Sequence, residues 1–286
     1  MGAATAEARE YGGMRESGAG RDRASLLATG VGGGFFSGLT GVGGGAIMVP
    51  LLTGLMGMRQ HTAHGTSLVV IIFAAAAGAA MYAATEGLDG GLVAVLLPGS
   101  LVGAYVGARF VQRIPAMRLR QLFGAFLLVA GLRLVLAGEV TPLIESAGGV
   151  RLAMASTSGL TGGVISGALG VGGGAIFVPA LVLLLGEPQH GAQGASLCVI
   201  AAAAVVGAAT HARHGSLDFS VAKPVAALAV PAGLVGAAVA AVLDGAALQR
   251  IFAVVIIGVG AQMVFTATRW IRTNSVTVPV AERTGN

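Results

Sequence analysis

Two runs of three consecutive glycines, Gly43-Gly44-Gly45 and Gly172-Gly173-Gly174, are the residues here whose type and spacing could do chemistry. Glycine enters the left-handed backbone region without steric cost, so such a run can turn successive N–H groups toward one point. A helix that follows, starting near Ala46 or Ala175, adds the positive end of its dipole to that point. The product is a neutral but electropositive pocket. It suits an oxyanion, whose charge needs hydrogen-bond donors once water is stripped away. It would also release the anion more readily than a buried arginine.

The glycines sit inside a longer repeated element. The stretch 34–50 returns 129 residues later as 163–179, with 12 of 17 positions identical. Each copy is an apolar segment interrupted in its middle, where no continuous helix is expected. Interrupted hydrophobic segments at matching places in two halves point to a transporter's binding site at the repeat interface. The duplication continues past the glycines. Gln60-His61-Thr62-Ala63-His64-Gly65-Thr66-Ser67-Leu68 matches Gln189-His190-Gly191-Ala192-Gln193-Gly194-Ala195-Ser196-Leu197, and Leu88-Asp89 matches Leu217-Asp218. Near Pro98 and Pro231 the offset drifts to 133, which implies a small insertion. The expected organisation is a disordered tail (1–24), a first transmembrane repeat (25–137), a connecting loop (138–150), a second repeat (151–268) and a C-terminal tail (269–286).

Composition sets the environment. A mean hydropathy of +0.84, 55% hydrophobic residues and only 10% charged residues lie far from a soluble protein, which carries about 25% charge. Apolar runs near 62–84, 89–110, 117–137, 192–213, 219–242 and 248–268 are each about 20 residues, the length that crosses a bilayer. The broken segments 25–56 and 151–185 have halves too short to cross alone. The single cysteine, Cys198, excludes an intrachain disulfide and a cysteine metal cluster. The basic residues flank hydrophobic segments and form no separate basic domain, which excludes nucleic acid and favours a topological role.

Charge placement orients the two copies. If each broken segment crossed fully, the chain would have eight spans, with 11 Lys/Arg inside and 6 outside. If each dips in and returns, every half has three true crossings and the second copy is upside down. The count then becomes 14 inside and 3 outside, the exceptions being Arg133, Arg151 and Arg250. Cytoplasmic enrichment of Lys/Arg favours the second arrangement. The expected fold is an all-α polytopic membrane protein of two inverted repeats, each a re-entrant helical hairpin plus three transmembrane helices.

The doubled G-x-x-S-G-x-x-G-V-G-G-G-A-I-x-V-P element, each copy followed by G-[TA]-S-L, resembles the sulfite exporter TauE/SafE family, also called the toluene sulfonate uptake permeases. The resemblance covers about 25–268. It implies a multi-pass protein of the cell inner membrane, moving sulfite, an organosulfonate or a sulfoacetate-like anion by alternating access. It also implies coupling to protons, a homodimer, no cofactor and no metal. Both termini are expected in the cytoplasm.

Carried onto this chain, the resemblance implicates Gly43, Gly44, Gly45, Gly172, Gly173 and Gly174 as the anion cradle. Thr40 could donate a hydroxyl beside the first break, but its counterpart is Leu169, so the cradles are not equivalent. Ser37 and Ser166 recur in both copies, and each fits a ligand role or a hydroxyl bonded back to its own helix. Gln60 and Gln189 are further substrate-binding candidates. His61 and His190, beside them, are candidates for coupling or gating, because histidine is the natural proton carrier near neutral pH; solvated loop positions would explain them as well. Arg133, near the end of a span, is a third such candidate. Thr66, Ser67 and Ser196 open spans, where helix capping is the alternative. His64, His211 and His214 are expected at the rim.

Other functions fit poorly. There is no H-E-x-x-H, no nucleophile elbow around Ser37, Ser158 or Ser166, and no acidic pair inside a span. The one lysine, Lys223, precedes Pro224, which excludes a Walker A loop. Gly41-Val42-Gly43-Gly44-Gly45-Ala46 matches the loose dinucleotide pattern, but no strand–helix–strand context surrounds it. A passive anion channel, since broken helices also build pores, or a permease for another small organic anion is the alternative to a coupled carrier.

Overall fold

The computed structural model describes residues 23–110, 116–136, 148–169 and 172–275. The expected tails (up to 22 and from 276) and residues 138–147 of the expected loop lie outside them. Among the described residues there is no strand. The described residues form ten helical segments, five to each sequence repeat.

In the first repeat, Arg23–Leu27, a π-turn at Ala28–Gly32 and Gly33–Thr40 form one continuous segment, α1. It is followed by α2 (Gly45–Gly54), α3 (Gln60–Thr85), α4 (Gly90–Phe110) and α5 (Ala116–Leu136). The second repeat gives α6 (Gly149–Leu169), α7 (Gly174–Leu185), α8 (Gln189–Arg213), α9 (Phe219–Val242) and α10 (Gly245–Ser275). The last helix runs beyond the expected boundary at 268. No glycine or proline lies between Gly260 and Pro279 to stop it. The stretches long and apolar enough to cross a membrane are Gln60–Thr85, Gly90–Gly107, Gln189–Arg213, Phe219–Val242 and Gly245–Thr266. Carboxylates start the later helices rather than lining them. Asp89 Oδ1 accepts from the amides of Gly91 and Leu92 at 2.9 and 3.1 Å, and Asp218 and Asp244 cap α9 and α10 in the same way.

The two halves pack through equivalent contacts. The matched helices α3 and α8 lie against each other, and so do α5 and α10. Both pairs are antiparallel. A Cβ on Gly65, at the start of α3, would sit 3.1 Å from His211 Cβ near the end of α8, and one on Gly194 would sit 3.0 Å from Tyr82 Cβ. Likewise Gly131 faces Ile257, while Gly124 faces Gly260.

Each broken segment is gripped by the fourth helix of the other repeat, α1 by α9 and α6 by α4. Small residues at four-residue spacing make this possible. A Cβ on Gly34 or Gly38 would fall 2.3 or 1.9 Å from the carbonyl oxygen of Ala229 or Gly233. One on Gly163 or Gly167 would fall 2.3 or 2.2 Å from that of Ser100 or Ala104. Backbones approach this closely only where side chains are absent, the usual route to tight association of helices in lipid.

Candidate anion site at the paired glycine breaks

Both segments break where the sequence places the glycines. Helix α1 ends at Gly41 (φ +68), and Gly43 and Gly44 follow at φ +86 and +72. In the second copy Gly172 and Gly173 take φ +96 and +71. These are left-handed conformations that a side chain would strain. After each break the chain turns back. A Cβ on Gly33 would meet Met48 Cγ at 2.3 Å, and one on Gly44 would meet the Gly33 carbonyl oxygen at 2.7 Å. Helix α2 therefore retraces α1. The second copy repeats this, with Gly162 against Phe177 and Gly173 against Ser166.

The two breaks touch. A Cβ on Gly174 would lie 2.4 Å from the Gly41 carbonyl oxygen and 2.5 Å from Val42 Cα. Ile200, half-way along α8, packs on Gly43 and Gly174, and Ile71 of α3 also reaches Gly43. The meeting point is thus at mid-height of the antiparallel α3–α8 pair. The return helices begin here. The amides of Ile47 and Met48 turn back to the Gly44 carbonyl at 3.0 and 2.8 Å, and those of Ile176 and Phe177 to the Gly173 carbonyl at 2.9 and 3.0 Å. The first two amides of each helix, on Gly45 and Ala46 and on Gly174 and Ala175, have no acceptor within their own helices.

Beside the meeting point is a cavity of about 10 Å³ whose walls include Thr40, Gly44, Ala46 and Ile47 of the first hairpin and Ala175 of the second. Val255, Ile256 and Val259 of α10 form its far wall. The space suits about one water, so an oxyanion would need α10 to draw back.

The other expected residues divide. Ser37 is fully buried beneath Gly44, and its hydroxyl has no hydrogen-bond partner. Ser166 is buried against Gly173. Thr40 lines the cavity but donates its hydroxyl to the Phe36 carbonyl at 2.6 Å, so that proton is committed to its own helix. The side chain of its counterpart Leu169 lies outside those described. Gln60 is exposed, whereas Gln189 is buried with neither side-chain atom paired. His61 is exposed; His190 is half-buried, with Nε2 3.1 Å from the Ala240 carbonyl oxygen. Arg133 lies on the exposed face of α5. None of these last three touches the breaks.

Residues 4–134 and 155–284 match the family described as "Sulfite exporter TauE/SafE". The chain belongs to the sulfite exporter TauE/SafE family. Among its relatives is the "Probable membrane transporter protein YunE" of Bacillus subtilis (strain 168), 27% identical over 84% of this chain and 96% of that protein. A "Probable membrane transporter protein" of Xylella fastidiosa (strain Temecula1) is 29% identical over 84% of this chain and 95% of its own length. No solved structure matches. The chain is a multi-pass membrane protein of a transporter family.

In this TauE/SafE chain the first break is held by side chains from both central helices. Tyr82 donates its hydroxyl to the Gly38 carbonyl oxygen at 3.2 Å and also meets Gln193 Oε1. Gln193 packs its stem on Gly41, and Ser196 donates to the Gly41 carbonyl oxygen at 2.8 Å. The sequence leaves Ser196 equally open to a site role or a helix cap, and does not single out Tyr82 or Gln193. Helix α8 starts at Gln189, so Ser196 lies two turns in and has no cap to make. The available signal was polarity inside apolar spans at repeated positions. Tyr82 is matched by His211 and Gln193 by His64, and polar residues at such depth face the protein interior. Thr66 and Ser67 are not caps either. Thr66 accepts the Asp218 amide at 3.1 Å, and Ser67 donates to the His64 carbonyl at 2.8 Å.

Proposed function

We propose that this protein is a secondary transporter of a small sulfur-containing anion, sulfite or an organosulfonate such as sulfoacetate. It works by alternating access between two inverted repeats in a cell inner membrane and catalyses no reaction. The observation that carries the reading is the convergence of two helix N-termini. Gly44 and Ala46 from one, and Ala175 from the other, line a single cavity at the contact of the two glycine breaks.

Each N-terminus contributes roughly half a positive charge. Both lie in a low-dielectric interior, where an anion's need for donors is greatest. Ser37 supports the reading as a buried hydroxyl without a partner under the first cradle. A tetrahedral or pyramidal oxyanion presents several acceptor oxygens and would engage both hairpins at once. Movement of the anion is coupled to protons in this reading.

The test is thermal unfolding of the purified protein against sulfite, sulfate, sulfoacetate, taurine and chloride, followed by flux in proteoliposomes. A sulfur oxyanion should raise the unfolding temperature more than chloride, and its uptake should follow an imposed proton gradient. Gly44→Leu and Gly173→Leu should remove both effects without preventing membrane insertion. Stabilisation by no anion, or normal flux in both variants, would overturn the reading. Flux insensitive to the proton gradient would leave a passive anion channel.

A further inference from the structure

The two repeats carry the same sequence element yet are packed differently. In the second copy, ten consecutive residues of α7, from Gly174 to Leu183, are buried, Pro179 among them. In the first, only Gly45, Met48, Val49 and Leu52 of α2 are, and Pro50 is exposed. The helices facing the two arms differ in the same sense. Helix α5 packs directly on α7. Its equivalent, α10, leans instead on α1, and the cavity separates it from Ala46 and Ile47 of α2. The glutamines after the two arms follow suit, Gln60 exposed and Gln189 buried.

We propose that the antiparallel α5–α10 pair is the gate, and that this structure is sealed along the α5–α7 seam with its access route along the α2–α10 seam. The proposal rests on the transporter reading and extends it to which seam opens. Because the repeats are equivalent in sequence, the reciprocal state exchanges their packing. Helix α10 then seats on α2, and α5 draws away from α7. Two states of comparable energy need a closed seam that is not too stable, and Gln189 supplies the reason. Its amide is 4% exposed with Nε2 and Oε1 both unpaired. Sealing this end strands a donor and an acceptor that opening would return to water. On the first arm Gln60 is already solvated, so closing that end would carry the matching penalty.

The test needs no knowledge of the cargo. In a Cys198→Ala background, single cysteines are placed at Ile47 on the access seam and at the equivalent Ile176 on the sealed one. Their modification by a small sulfonate-bearing thiosulfonate reagent is timed in membranes without added anion. Ile47→Cys should react at least about tenfold faster than Ile176→Cys. Adding Gln189→Leu should slow Ile176→Cys about tenfold further and leave Ile47→Cys unchanged, because only the sealed end is stabilised. Thermal unfolding of Gln189→Leu, expected at or above that of the parent, shows that the fold is kept. Equal rates at the two cysteines, or no effect of Gln189→Leu on Ile176→Cys, would overturn the gate. If these rates hold while the anion panel fails, the gate stands and the cargo assignment falls.

Discussion

Replacing Gly174 by alanine tests the contact on which the site depends. Gly174 has no left-handed backbone, so a change there probes space rather than conformation. Its new Cβ would fall 2.4 Å from the Gly41 carbonyl oxygen, 2.5 Å from Val42 Cα and 2.7 Å from Ile200 Cδ1. Two of these neighbours are backbone atoms of the other hairpin, so no rotamer change relieves the clash. Real contacts of this kind essentially never fall below 3.0 Å, so the breaks must separate by at least about 0.6 Å. Overpacking of this degree costs about 1–3 kcal/mol. Displacing one set of donors by about 0.6 Å should reduce flux by roughly tenfold or more, since 1 Å can cost about 100-fold. Gly32→Ala is the control. Nothing lies within 4 Å of its added methyl and its backbone is helical, so the protein should gain about 0.5–1 kcal/mol. The assay is thermal unfolding in detergent beside proteoliposome flux of whichever panel anion stabilises the parent. A Gly174→Ala protein with parental flux and parental unfolding would refute the meeting of the two breaks.

Further tests separate ligand from scaffold. Ser37→Ala should weaken anion binding about tenfold, the scale of one hydrogen bond to a charged group, while leaving the unfolding temperature unchanged or higher, because its hydroxyl has no protein partner to lose. Ser196→Ala should do the reverse. It strips the Gly41 carbonyl of its 2.8 Å donor and should destabilise the fold by about 1–3 kcal/mol, read as a fall in unfolding temperature. Arg133→Gln should keep flux within about twofold of the parent, since its side chain faces outward from α5; a large loss in the flux assay would return Arg133 to the coupling pathway.

Much of the site was legible because its signal is local. Three glycines permit a left-handed turn whatever surrounds them, and Gly43, Gly44, Gly172 and Gly173 take it. The duplication was equally plain, as the same spacing recurs over most of the chain. Thr40 was harder to read. Its residue type offers a donor, but whether the hydroxyl reaches the cavity or the Phe36 carbonyl depends on a side-chain rotamer. Gln60 and Gln189 are identical letters in equivalent positions, and nothing in the sequence separates them.

The sequence by itself determined the membrane class, the two repeats and the positions of both breaks. Each of these follows from hydropathy, periodicity or the backbone freedom of one residue type, which act over a few neighbours. Only the tertiary structure decided that the breaks meet, that Tyr82, Gln193 and Ser196 hold the first of them, and that α7 is buried over most of its length while α2 is buried on one face only. Those outcomes depend on which helix lies beside which, and residues separated by 111 or 155 positions leave no local trace of their contact. Two equivalent halves can also pack unequally because a small energy difference, spread over an entire seam, selects which one closes.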